Sequence, residues 1–130
     1  MTLPTIEARL ARKLIVMSTD VPLLERLRAA LPPDWALTEC TDLSVLGGYQ
    51  DVLLHRFILL DLDETQAFDP LAVIEQVRME MMLNVPILCF GGDPATRDQA
   101  RLARADRFFE RDEIVEKLKL YCDQFGWGGR

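Results

Sequence analysis

Residues 57 to 64 read FILLDLDE, in which an apolar run is followed at once by Asp61, Asp63 and Glu64. Carboxylates grouped this way either handle a cation or a phosphoryl group, or mark a strand running out into solvent. Three other short polar stretches follow apolar segments: Ser18, Thr19 and Asp20 after LIVM, Gly91 and Gly92 after PILCF, and Glu110, Arg111 and Asp112 after Phe108 and Phe109. The glycine pair fits neither GxxxxGK nor GxGxxG and reads as a turn. His55 is the single histidine, precedes a buried segment without an evident nucleophile partner, and reads as structural. Cys40, Cys89 and Cys122 are odd in number and widely spaced, the pattern of reduced core thiols and not of a zinc site or a disulfide framework.

The elements that must position these residues follow from periodicity. LIVM (14–17), WALTEC (35–40), FILL (57–60) and PILCF (86–90) are strand-like, and Phe108 and Phe109 make a fifth short apolar pair. FILL, apolar throughout, has the pattern of a strand covered on both faces. Between the strands lie helical patterns. PLLERLRAALP carries Leu23, Leu24, Leu27, Ala30 and Leu31 on one face and stops at Pro32 and Pro33. DLSVLGGYQDVLL is a short helix interrupted by Gly47 and Gly48. PLAVIEQVRMEMML opens at Pro70, with Met79, Met81 and Met82 expected at inner and edge positions of a core-packed helix. ATRDQARLARA has a narrow apolar stripe of Ala95, Ala100, Leu102 and Ala103, and DEIVEKLKLYCDQF turns Ile114, Val115, Leu118, Tyr121, Cys122 and Phe125 inward.

Five strands alternating with five helices predict a parallel sheet covered on both faces. Ligands in such sheets sit outside the carboxyl ends of the strands, which places the loops 18–20, 61–65, 91–95 and 110–112 around any site. At 130 residues the chain fits one domain, with a core over about 13–125, an N-terminal extension over 1–12, and a glycine-rich tail or linker over 126–130. A composition of 49% hydrophobic and 28% charged residues is that of an ordinary soluble globular protein, and no apolar run approaches the roughly 18 residues a bilayer-spanning helix needs. No apolar block of signal-peptide length is present, so a cytoplasmic location is expected. The net charge of −6 argues against direct binding to nucleic acid.

In this loop set and element order the chain resembles the receiver domains of two-component response regulators, CheY-like modules phosphorylated on aspartate. The resemblance covers residues 13 to 125. FILLDLDE looks like the family's third strand ending in the phosphoacceptor, VPILCFGG like its fourth, and RADRFFERDEI like its fifth running into the last helix. It implies a flavodoxin-like, doubly wound five-stranded α/β sheet in the order 2-1-3-4-5 with five helices. It also puts Asp61 at the phosphoacceptor position, the backbone carbonyl of Asp63 near the metal, and Phe108 at the aromatic switch position. The departures are specific. The family's acidic pair for Mg²⁺ is replaced by Ser18 and Thr19, with Asp20 just beyond; its hydroxyl residue after the fourth strand is Gly91; its lysine before a proline is Arg111 before Asp112.

Phosphoryl transfer to a carboxylate brings two anions together and depends on charge neutralisation, usually by Mg²⁺ held by carboxylates. With neutral Ser18 and Thr19 in place of acids, the expectation is no resident metal and no cofactor, with Mg²⁺ only weakly held at Asp61. Arg111 is expected to pair permanently with Asp61, since a guanidinium is no substitute for a lysine ammonium. The pocket of Ser18, Thr19, Asp20, Asp63, Gly91 and Arg111 then reads as degenerate. The expected function is a non-enzymatic, phosphorylation-independent interaction module serving a protein partner or an attached output domain, such as that of a transcriptional activator. A homodimer through the fourth helix, fifth strand and fifth helix is expected from the mixed charges of Arg97, Arg101, Arg104, Arg107 and Lys117 against Asp98, Asp106, Glu113 and Glu116. Two alternatives stand beside it: a working Mg²⁺-dependent phosphoacceptor using Asp61, and a flavodoxin-like domain holding an unrelated small ligand near Ser18, Thr19 and Gly91.

Overall fold

The computed structural model describes residues 5–126; the expected tail beyond Gly126 lies outside the described residues. A short helix α1 (Ile6–Leu10) precedes strand β1 (Arg12–Met17), and helix α2 (Val21–Ala30) leads to β2 (Trp35–Glu39). A 3₁₀ turn (Leu43–Leu46) and helix α3 (Tyr49–Leu53) precede β3 (Ile58–Asp61). Helix α4 (Pro70–Glu75) continues as a π-helical segment (Gln76–Glu80), followed by β4 (Ile87–Phe90), α5 (Pro94–Leu102), β5 (Arg107–Phe109) and α6 (Ile114–Gly126). All strand pairs are parallel, in the order β2-β1-β3-β4-β5.

The all-apolar strands are buried on both faces as their composition requires. Ile15, Met17, Ile58, Leu60, Ile87 and Cys89 face a layer containing Val73, Ile74 and Val77 of α4 and its extension. On the other side Leu14, Val16, Leu59, Leu88 and Phe90 pack against Leu23, Leu24 and Leu27 of α2 and Ile114, Leu118 and Cys122 of α6. Strand alternation thus assigns each side chain to a layer. Burial pushes the Cys89 and Cys122 thiols up to about 12, consistent with inert core residues.

Two helices depart from the expected pattern. The 70–83 stretch does not stay α-helical: Met81 N–H donates to Gln76 O at 2.8 Å, a five-residue spacing, so the register slips by one residue. Met79 and Met82 are consequently 70% and 80% exposed, a correction to their expected core positions. The slip turns Arg78 inward instead. Its guanidinium, 5% exposed, donates to the carbonyls of Leu83, Val85 and Arg104 and pairs with Asp106 at 2.8 Å. In α5 only Ala100 is fully buried and Leu102 is 81% exposed, because the helix ends there, with Arg104 in a left-handed conformation (φ 80°).

At the amino ends of the strands Arg56 donates to the carbonyls of Leu10, Ala11 and Phe125, while Arg12 donates to Gly126 O and pairs with Asp34. These arginines complement the carboxyl end of α6. His55 is nine-tenths buried; its Nδ1–H donates to Asp51 O at 2.9 Å, so Nε2 accepts from the Thr38 hydroxyl at 3.1 Å. Burial holds its pKa below the ordinary value, which keeps it neutral and structural, as its position suggested.

Candidate functional site

At the opposite end of the sheet, four strand ends deliver their loops to one place. β1 ends at Met17 and hands on Ser18, Thr19 and Asp20; β3 ends at Asp61; β4 ends before Gly91; β5 leads to Arg111. Asp20 is the N-cap of α2, its carboxylate accepting from Leu23 N–H at 3.2 Å. That role fixes its second oxygen toward the sheet.

Arg111 lies at the centre, with all five N–H groups engaged. Nη1 donates to Asp61 Oδ1 at 2.7 Å and Asp63 Oδ2 at 3.0 Å; Nη2 donates to Asp61 Oδ2 at 2.9 Å and Asp20 Oδ2 at 2.7 Å; Nε donates to Asp20 Oδ2 at 3.2 Å. The contact with Asp61 is the parallel two-bond fork that guanidinium and carboxylate favour. The Asp61 and Asp20 carboxylates hold the Arg111 pKa above its ordinary value, with the Asp61 bonds as the largest cause. In return the Arg111 hydrogen bond lowers that of Asp20. The guanidinium carbon also lies 5.3 Å from the centre of the Phe90 ring.

Asp61 is 3% exposed and equally saturated. Its Oδ1 accepts from Arg111 and from Asp63 N–H at 2.9 Å, and its Oδ2 accepts from Arg111 and from the Ser18 hydroxyl at 2.7 Å. A carboxylate offers about four lone-pair directions. All four of these are occupied. Ser18 relays further by accepting from Asp20 N–H at 3.1 Å, so the first loop is tied to Asp61 through a neutral hydroxyl.

Two contacts were not legible from residue type. Thr19 donates to Glu64 Oε1 at 2.5 Å, and Glu64 Oε2 accepts from the N–H groups of Gln66 and Ala67, both at 2.9 Å. These donors, Thr19 first, bring the Glu64 carboxyl down to about 2. Gly91 has φ 74°, and a Cβ there would overlap the Asp63 carboxylate and come within 3.4 Å of Arg111 Nη1. Only glycine both adopts this conformation and leaves that space, through which Asp63 reaches Arg111 and accepts from Gly92 N–H at 2.9 Å. Thr19, Glu64 and the glycine pair therefore belong to the site as supports. Phe108 stays outside it, half-buried beneath the Arg101 guanidinium, which lies 4.8 Å from the ring centre.

The residues present do not fit a divalent metal. Mg²⁺ requires oxygen ligands at about 2.0–2.1 Å in near-octahedral array. Here a resident guanidinium already takes the acid side chains, Ser18 directs its proton toward Asp61, and among the described residues no group of three or more acidic, histidine or cysteine side chains is arranged to hold a metal ion.

No family model matches the sequence, and comparison with curated proteins gives no match either. The likeness lies in three dimensions. The phosphorylated cyanobacterial phytochrome response regulator RcpA superposes with a TM-score of 0.68 at 10% identity, covering 88% of this chain and 93% of that one. A response regulator signal receiver domain from Bermanella marisrubri gives a TM-score of 0.64 at 22% identity, covering 82% and 94%. The chain has the receiver fold. The Mn²⁺-bound form of the response regulator Rcp1 is similar as well, with a TM-score of 0.67 at 10% identity over 86% and 95% of the two chains. On the receiver fold, Asp61 stands at the carboxyl end of the central strand β3, between β1 and β4.

Proposed function

We propose that the chain is an atypical receiver domain that works as a phosphorylation-independent interaction module, binding a protein partner or serving an attached output domain such as that of a transcriptional activator. Structures with this fold include a phosphorylated response regulator and a Mn²⁺-bound one, which makes phosphoryl chemistry the first alternative to weigh. The observation that carries the proposal is the saturation of Asp61. An acceptor carboxylate must present a lone pair to phosphorus, and both oxygens of Asp61 are already fully engaged by Arg111, Ser18 and the Asp63 N–H. The charge neutralisation that phosphoryl transfer needs is directed at the acceptor itself and away from an incoming group.

The role on this reading is a fixed surface, without an enzymatic step, and no helix among the described residues is long and apolar enough to cross a membrane. The test is incubation of the chain with acetyl phosphate and Mg²⁺ followed by intact-mass measurement. The expected outcome is an unchanged mass. A phosphoryl adduct that disappears in Asp61→Asn would overturn the proposal in favour of a working phosphoacceptor.

A further inference from the structure

Away from the strand tips, the backbone irregularities of α4 and α5 converge on Arg78. Val73, Ile74, Val77 and Met81 are spaced to share one face of an uninterrupted α-helix. Instead the helix slips into π geometry over Gln76–Glu80, so that Met81 N–H donates to Gln76 O at 2.8 Å and Leu83 N–H to Val77 O at 2.9 Å. Just beyond stands Met82 at φ 56°, and α5 likewise ends on Arg104 at φ 80°; among the described residues these are the non-glycine residues with positive φ. Glycine is usual where a helix ends in this conformation. The cap of α5 is otherwise regular, with Ala105 N–H on Ala100 O five residues back, whereas the cap of α4 reaches back six. Arg78 joins the two ends. Its Nη1 donates to Leu83 O at 2.8 Å and Val85 O at 2.9 Å, its Nε to Arg104 O at 3.0 Å, and its Nη2 to Asp106 Oδ2 at 2.8 Å. Arg104 Nη2 returns a bond to Arg78 O at 3.4 Å.

We infer that Arg78 is a latch on a two-register element: with its guanidinium inside, the end of α4 is held in the π register, and with it outside, α4 continues in the α register that its apolar positions suit. In the second register Met81 N–H bonds Val77 O, Met81 turns further onto the core beside Val77, and Arg78 moves to the rim of the helix. Local pattern and tertiary structure conflict here, and such conflicts, like π segments themselves, mark functional or strained elements. The latch is reached through Asp106. The Arg78 side chain is 5% exposed and that of Asp106 47%, so solvent or a binding partner meets the carboxylate first. The same carboxylate oxygen accepts from Ile87 N–H at 2.8 Å, which ties the latch to the start of β4. A buried guanidinium that loses its carboxylate is strongly disfavoured, so engaging Asp106 from outside shifts the element toward the outward register. This device goes beyond the proposed function: it gives the interaction module a conformational change of its own, without chemistry at Asp61.

Through-hydrogen-bond NMR couplings read the register directly. In the native chain Met81 N is expected to couple to the carbonyl carbon of Gln76. In Arg78→Met, which keeps an unbranched side chain and deletes the guanidinium, it is expected to couple to that of Val77. Asp106→Asn keeps the shape of the partner and removes its charge. Its relaxation dispersion is expected to rise several-fold over the native chain at residues 76–87 and 104–107 and to stay at the native level in β1 and β3.

Where Arg78→Met fails to fold, Asp106→Asn alone carries the test. The inference is overturned if Met81 keeps its coupling to Gln76 in Arg78→Met, since the π turn is then set by other contacts. It is equally overturned if Asp106→Asn is silent, or if its dispersion spreads evenly over the sheet, the sign of general loosening. Incubation with acetyl phosphate reads Asp61 alone, so the proposed function and the latch stand or fall separately.

Discussion

Gly91 decides more of the pocket than a residue without a side chain usually can. A Cβ at this position would overlap the Asp63 carboxylate, and the backbone there (φ 74°) is one that side-chain-bearing residues adopt only under strain. Gly91→Ser is therefore expected to destabilise the fold by about 1–3 kcal/mol in urea unfolding, the conformational part alone accounting for about 1 kcal/mol. In an Asp63→Ala background the same change should cost measurably less, because the overlap is gone and only the strain remains. Equal costs in both backgrounds would show that Asp63 does not set the identity of residue 91. The pairing of Arg111 with Asp61 was legible in the sequence because the receiver resemblance puts the two residues at the carboxyl ends of β5 and β3, on either side of β4. The role of Gly91 was not, because it depends on where the Asp63 carboxylate points, and no spacing rule carries side-chain direction. For the same reason Ser18 and Thr19 read as neutral replacements for acids, while the structure gives each a definite acceptor, Asp61 and Glu64.

At the scale of elements, the loop between β3 and α4 is held by Glu64, which accepts from Thr19 and from two backbone N–H groups of its own loop. The carboxyl is brought from 4.5 to about 2 in the folded chain. A group with a depressed folded value contributes stability above its unfolded value and loses it as pH falls, because the unfolded chain then binds the proton more readily. Stability should accordingly decline between about pH 4.5 and pH 2, and the curve for Glu64→Gln should be flatter across that window in denaturant titrations at stepped pH. Curves of equal slope would show that Glu64 does not contribute to the acid limb. Helix α4 teaches a different lesson. Its apolar positions suit a continuous helix, and the one-residue slip into π geometry could not be seen in them. The slip accompanies the inward turn of Arg78, whose guanidinium bonds the carbonyls of Leu83, Val85 and Arg104. A buried guanidinium satisfied by three carbonyls and a carboxylate overrides periodicity, since leaving those groups unpaired costs more than exposing Met79 and Met82.

For the whole molecule, the parallel sheet covered on both faces was legible because short apolar strands alternating with amphipathic helices leave few other arrangements, while the strand order came with the receiver resemblance. Association is less constrained. On the surface of α5, β5 and α6 the charges already pair within the chain, Arg97 with Glu110 at 3.2 Å and Arg101 with Asp98 at 2.8 Å. Exposed pairs of this kind are worth well under about 1 kcal/mol, so exchanging them across a two-fold axis costs little and gains little. The homodimer proposed for this face should therefore be weak and salt-dependent. Sedimentation equilibrium is expected to give a mass above that of the monomer at low ionic strength and a monomer mass near 1 M salt, where screening acts within about 3 Å. A mass insensitive to salt would place any association on another surface.

Arg56 draws the two ends of the described chain into one contact, since the segment before β1 and the last turn of α6 both deliver carbonyls to its guanidinium. In mechanical terms this is a clasp. Arg12, the first residue of β1, adds its contacts to Asp34 and Gly126 at the same end of the sheet. The clasp thus lies at the opposite end of the sheet from Arg111 and the polar network at the strand tips.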